Sequence, residues 1–248
     1  MTFTILGRDD TYFGGATCSA MPAISNFVLH GKYDLGIMTF QAKVSPSYSN
    51  IILNDLSAGK TFDESIKNLK KLDVYFDKRQ IAFVPLTGDI KIYPGKETAP
   101  FTGYLTSKNS VCIGNMLADE TTLLEMLRFF EMNSNDFLGD RLIESLHAGH
   151  LTKGDKRGRE SAGIKVFHKN KNFPVIDLRV DHSDNPVEDL TKIYHYFKKG
   201  FYKLIESFPD NQGNFTPIEN NPELSSIVEE YSNPVSQRTF LNFNHFSS

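Results

Sequence analysis

The sequence predicts an α+β protein in which two mostly antiparallel sheets stack face to face with helices outside them. Three observations carry this. Strand-like segments come in runs joined by short turns. Helix-like segments come between those runs, mostly in pairs. The βαβ alternation of a doubly wound sheet is missing, and runs of strands alternating with runs of helices fit a layered domain.

Taken in order, Thr2 to Gly7 (TFTILG) is rich in β-branched and aromatic residues and ends at Asp9-Asp10, which reads as a strand. Tyr12 to Ala20 follows after a tight turn and completes a hairpin; its small residues suggest close approach of another layer or a ligand. Leu35 to Val44 is a third strand. Ser47 to Ala58 is a helix that Gly59 ends, a residue suited to the left-handed position after a helix. Thr61 then caps a second helix, with Glu64 at capping-box spacing and Ile66, Leu69 and Leu72 on its apolar face. Arg79 to Leu86, Ile90 to Tyr93 and Val111 to Asn115 are strands, the first two joined by Thr87-Gly88-Asp89. Helices begin at Asp119 and Ser134, and strands return at Ser161 to Phe167 and Val175 to Val180. Pro186 to Phe208 carries helical apolar spacing. After Pro209 periodicity is lost. The expected organisation is a main domain over 1–208 and an extended segment over 209–248 that packs on the surface or on a partner chain.

Composition bounds the function classes. The chain has 248 residues, 40% hydrophobic and 23% charged, with a net charge of −3. That suits one sizeable core needing no disulfide or metal, and offers no electrostatic case for nucleic acid or an anionic membrane. No apolar run approaches the ~18 residues of a membrane span. Met1 to Asp10 lacks the features of a secretory signal, so the expected location is the cytoplasm. Cys18 and Cys112 each lie in an apolar strand and read as buried thiols. The apolar C-terminal part, with Phe201, Phe208, Phe215, Phe240, Phe243 and Phe246, makes a homodimer plausible; covering by the same chain is an equal possibility.

Candidate chemistry falls in four places. Thr2 follows Met1, and removal of Met1 would expose a hydroxyl nucleophile together with its own α-amine, whose pKa near 7.7–8.0 suits a base. Gly154 to Ser161 packs glycines, Asp155, Arg157 and Arg159 into one loop, which reads as a carboxylate grip or as a solvated basic turn. Asp177, Arg179 and Asp181 share one face of a strand; they form either a paired network or, with His182, a general-base or metal-ligand pair. Gln41 and Asn115 stand at strand ends, where an amide supplies an oxyanion donor or caps the next helix.

Seven segments occur in order: TFTILGRD, ATCSAMPAI, GIMTFQAKVSPSY, RQIAFV, IGNMLADETTLLEM, GDKRGRESAGI and DLRVDHSDNPVEDL. Together they resemble the domain of unknown function 1028 family, over about residues 2–205. The resemblance implies an N-terminal-nucleophile (Ntn) hydrolase-like fold, a four-layer αββα sandwich, and by analogy amide hydrolysis. It puts Thr2 at the nucleophile position. Asp9, Ser19, Gln41, Asn115, Asp155, Arg157, Ser161, Asp177, Arg179 and Asp181 fall at positions the family keeps. The expectation is an amidohydrolase for a small amide or N-acyl compound, needing no cofactor or metal. Thr2, Asn115, Gln41 and Asp177 are its catalytic candidates, and Arg157, Arg179, Asp155, Ser19 and Asp181 bind substrate. The chain departs from the family pattern at Ala20, Ser45, Pro94, Tyr104, Glu160 and His182. Those departures motivate an alternative, an inactive member that binds a small ligand or protein partner in the same cleft.

Overall fold

The computed structural model describes residues 2–98, 101–152 and 158–238. The chain divides into two compact units, 1–190 and 191–248.

The first unit begins with the hairpin β1 (Thr2–Arg8) and β2 (Tyr12–Ser19), then α1 (Ile24–Val28), β3 (Leu29–Lys32) and β4 (Gly36–Ala42). The helix pair α2 (Pro46–Ser57) and α3 (Phe62–Leu72) leads to β5 (Arg79–Pro85), β6 (Lys91–Tyr93), β7 (Gly103–Thr106) and β8 (Ser110–Asn115). A second pair, α4 (Thr121–Met132) and α5 (Leu138–His150), precedes β9 (Ser161–His168) and β10 (Pro174–Val180). Six strands form one sheet in the order β10-β9-β2-β1-β8-β7, and four form the other in the order β3-β4-β5-β6. Every neighbouring pair is antiparallel. The α+β class read from the sequence is therefore the observed one.

Strand alternation builds the layers. Leu6, Val111 and Ile113 of the six-stranded sheet meet Ile37, Ala82 and Val84 of the four-stranded sheet in one buried cluster. The opposite face of the smaller sheet, through Met38, Phe40, Ile81 and Phe83, packs on Ile52 and Leu53 of α2 and on Phe62, Ile66 and Leu69 of α3. The opposite face of the larger sheet carries α4 and α5. There Gly149 lies so near Met126 and Phe3 that an added Cβ would meet the methionine at 2.6 Å. The result is four layers, helix, sheet, sheet, helix. Each fully buried Phe, Ile or Leu contributes roughly 1.5–3 kcal/mol relative to exposure.

Local signals set the helix ends. Pro46 occupies the first turn of α2, and Gly59 just beyond it has φ +84°. Thr61 and Glu64 form the expected capping box, with Glu64 N donating to Thr61 Oγ1 at 3.2 Å and Thr61 N to Glu64 Oε2 at 2.8 Å. Arg141, 5% exposed, donates from Nε and Nη2 to the Phe130 carbonyl near the end of α4 and lies over the Phe130 ring at 3.9 Å. Its charge sits where the helix dipole is negative. Cys18 and Cys112 are free and buried, as expected. Among the described residues no helix is long and apolar enough to cross a membrane.

The helix α6 (Pro186–Lys199) runs out of the first unit. The sequence predicts one helix to Phe208; instead it stops before Gly200, and a short α7 (Phe201–Leu204) follows. The second unit also contains α8 (Pro222–Ser232), inside the segment expected to be extended. Leu224 and Ile227 of α8 bury against Leu204. The sequence reading ends the main domain at 208. Phe240, Phe243 and Phe246 lie outside the described residues.

Candidate active site

Register assembles the site. In the larger sheet, Thr2 is paired with Ser19 on one side and with Asn115 on the other, and Ser19 is paired with Ser161. Asn115, Thr2, Ser19 and Ser161 thus form one row across four strands, at the strand ends and on one face. Directly opposed side chains have Cβ atoms about 4.5–5.5 Å apart. Thr2 Oγ1 lies 3.1 Å from Ser19 Oγ. Ser161 is already occupied: its hydroxyl donates to Met21 O at 2.6 Å and accepts from Ile24 N at 3.0 Å, anchoring the turn into α1. Thr2 is 6% exposed and Asn115 4%, while Ser19 and Ser161 are fully buried.

One row deeper the face becomes a polar seam between the two sheets. Thr4 Oγ1 lies 2.7 Å from Thr17 Oγ1 and donates to Gln41 Oε1 at 2.8 Å. Thr39 Oγ1 donates to the same oxygen at 3.2 Å. Gln41 Nε2 donates to Gln80 Oε1 at 2.8 Å and to Ile113 O at 3.4 Å. Gln80 Nε2 donates to Gly114 O at 2.9 Å and Gly103 O at 3.2 Å, and Asn115 Nδ2 donates to Gln80 Oε1 at 3.2 Å. Each glutamine amide thereby uses both lone pairs and both hydrogens. Both are fully buried, where an unpaired amide is costly. Sequence reading missed Gln80. The signal that finds it is β5 itself: Arg79 to Val84 is buried at every position, so a glutamine there has no water and needs partners.

Two residues following the site amides carry strained backbone. Ala42 after Gln41 has φ 67°, and Met116 after Asn115 has φ 54°. Neither is glycine, and such conformations cost of order 1–3 kcal/mol and gather at functional sites.

The face of the larger sheet that meets the helices has its own charged group. Arg159 Nη2 donates to His150 O at 2.6 Å, near the end of α5, and its guanidinium lies 5.8 Å from the Phe3 ring centroid. His150 Nε2 lies 2.5 Å from Glu188 Oε1. Burial and the nearby Arg159 charge push the His150 pKa down against the pull of Glu188. Burial pushes the Cys18 thiol on this face up to about 12, so it is not a nucleophile.

The family model described as a family of unknown function, DUF1028, matches residues 2–190. This chain belongs to the DUF1028 family. The match ends where the first compact unit ends. Among solved structures, the chain is similar to protein SPO2555 from Silicibacter pomeroyi, a DUF1028 structure. The TM-score is 0.74 at 27% identity, covering 86% of this chain and 96% of that one. Comparison with curated proteins finds no match.

Within the DUF1028 unit the other candidate residues lie apart from Thr2. Asp177 pairs with Lys165 at 3.2 Å on β10, three strands from β1 or roughly 14 Å across. Arg179 Nη1 donates to Asn26 Oδ1 and Nη2 to Asp181 Oδ2, both at 3.2 Å. His182 Nδ1 lies 3.0 Å from Glu160 Oε1, with its side chain 78% exposed. Asp177 and Arg179 on the edge strand β10, with Asp181 just past its end, are therefore an exposed, locally paired stripe. Asp155 and Arg157 lie outside the described residues. Thr2, Ser19, Asn115 and Gln41 are the candidates brought together.

Proposed function

We propose that this protein is an Ntn-type amidohydrolase that acts on a small amide or N-acyl compound through Thr2. The layered antiparallel architecture, with Thr2 at the tip of a central strand, supports an Ntn-hydrolase-like reading of the fold. One observation carries the chemistry. The Thr2 hydroxyl lies 3.1 Å from that of Ser19 and in register beside Asn115, whose amide keeps one N–H uncommitted among the described residues.

In this reading the peptide bond preceding Thr2 is first hydrolysed, which frees its α-amine. The amine takes the Oγ1 proton as Oγ1 attacks the substrate carbonyl. The free N–H of Asn115 holds the oxyanion. The ammonium returns its proton to the leaving nitrogen as the C–N bond breaks, and water then hydrolyses the ester. Gln41 has no hydrogen left for an oxyanion and acts as support. Arg179 is held by Asn26 and Asp181, so it is committed before any substrate carboxylate arrives. The departures from the family pattern at Ala20, Ser45, Pro94, Tyr104, Glu160 and His182 motivate the second reading, a cleft that binds a ligand without turnover. The reading keeps the protein in the cytoplasm, where its two free thiols stay reduced, and as a homodimer that covers exposed Phe201 and Phe215.

The test is treatment of the native protein with a β-lactone probe, followed by peptide mapping and intact mass. The expected result is a single acyl group on an N-terminal Thr2, absent from Thr2→Ala. A retained residue before Thr2, or no acylation there, overturns the catalytic reading and leaves the binding one.

A further inference from the structure

Gln80 belongs to the other sheet and lies outside the row that holds Thr2, yet it governs that row. We propose that Gln80 is the positioning residue that aims the Asn115 amide at the carbonyl attacked by Thr2. The proposal deepens the amidohydrolase reading and rests on it for its functional consequence.

Hydrogen-bond accounting fixes the direction of every amide. Gly103 O and Gly114 O only accept, so the Gln80 side must present Nε2 to them. A flipped amide would set its oxygen against two carbonyl oxygens. Oε1 therefore faces the other way, toward Gln41 and Asn115, and accepts from both. Since Gln80 Oε1 only accepts, Asn115 must turn Nδ2 toward it. That choice sets which way the second Asn115 hydrogen and its Oδ1 point. Gln41 adds a lock from below, because Thr4 and Thr39 both donate to its oxygen and force its nitrogen toward Gln80. The orientation of Asn115 is thus set by two backbone carbonyls and transmitted through a fully buried glutamine. Gln80 also ties β7 to β8 beside Asn115 through the same two carbonyls, at a paired position of those strands. It touches no reacting atom. Its role runs through Asn115.

The experiment measures two quantities in purified full-length protein: the rate of Thr2 acylation by the β-lactone probe, and solvent exchange of the Asn115 Nδ2 protons by NMR. Gln80→Met keeps length and removes all four hydrogen bonds. It is expected to slow acylation by about tenfold or more and to make Asn115 Nδ2 exchange faster. Ser145→Ala removes a buried 2.7 Å hydrogen bond to Met126 O elsewhere in the unit and is expected to leave both readouts unchanged. Gln80→Leu, which also removes all four hydrogen bonds at similar volume, stands in if Gln80→Met fails to fold and is expected to give the same two changes. Asn115→Ala combined with Gln80→Met should be no slower than Asn115→Ala alone, since the two act as one unit. Additive losses, or an unchanged Asn115 exchange in Gln80→Met, overturn the positioning role. If wild-type Thr2 is never acylated, the amidohydrolase reading fails, and the exchange measurement still decides whether Gln80 orients Asn115.

Discussion

Arg79 shows how a single residue in this fold holds several elements. Its Nη2 lies 2.5 Å from Asp73 Oδ2, its Nη1 donates to Lys43 O, and its guanidinium stands 4.9 Å from the Tyr48 ring centroid. Both side chains of the ion pair are less than a tenth exposed. Removing one partner strands the other, which typically destabilises by 3–5 kcal/mol, whereas replacing both with apolar residues is often neutral. Arg79→Met is therefore expected to lose about 3 kcal/mol in urea unfolding, and Arg79→Met with Asp73→Leu to recover most of it. A double variant as unstable as the single would mean that the lost contacts to Lys43 and Tyr48, not the stranded carboxylate, set the loss. The same scale explains what the sequence disclosed of the site. Gln41 and Asn115 are legible because they are amides at the ends of apolar strands, Thr2 because it follows Met1, and Ser19 only through the family resemblance. Gln80 is not, because a lone glutamine in a strand reads as its wet face until the second sheet is known to cover it. Asp177, Arg179 and Asp181 were legible as a charged stripe, but their distance from Thr2 depends on β9 and β2 lying between, and strand order is not written in local pattern.

At the scale of elements, the regular strands and the two helix pairs were legible from period and caps, whereas the short elements were not. The helix α1 has five residues, starts from Ala23 at φ 52° and has no side-chain cap, so no local signal marks it. The edge strand β7 alternates half-buried and exposed residues and is defined by pairing with β8. The helix α8 is a different case, since its signal was present and was outweighed by polar composition. Asn221 accepts from Glu223 N at 3.0 Å and Leu224 N at 3.3 Å, Pro222 opens the first turn, and Leu224, Ile227, Val228 and Tyr231 recur at helical spacing. With only a small buried cluster behind it, this helix leans on its cap. Asn221→Ala is expected to cost about 1 kcal/mol locally. Hydrogen exchange should then rise across 222–232 while the strands of the first unit keep their protection. Unchanged exchange in α8 would show that Leu224 and Ile227 alone hold it.

For the molecule as a whole, buried and half-buried titratable groups fix the pH range in which the first unit is stable. His150 and His30 have pKa values lowered, first by burial, so the folded state prefers them neutral. Below an ordinary histidine pKa of about 6.5 the unfolded chain takes up protons that the native state refuses, and stability falls with pH. Asp73 adds a second acid stage. Burial works to raise it, but the Tyr75 N–H and Arg79 outweigh that and hold it below the usual range. Its contribution is present above about 3.9 and lost as pH falls through its lower folded value. The alkaline limb comes from the thiols. Burial raises Cys18 to about 12 and Cys112 well above its ordinary value. From about pH 8.5 the unfolded chain releases thiol protons that the native state retains, and stability falls as pH rises, by at most about 1.4 kcal/mol per unit for each thiol. With no tryptophan in the chain, far-UV circular dichroism is the probe. Urea midpoints should peak near pH 7 to 8 and fall at pH 5 and at pH 10. Cys112→Ala lies in a strand buried at every position, so it lowers the whole curve but removes one titrating thiol, and its alkaline limb should be shallower than that of the wild type. An alkaline slope equal to the wild-type slope would remove Cys112 from the account and leave that limb to Cys18 and the tyrosines, of which burial raises Tyr93.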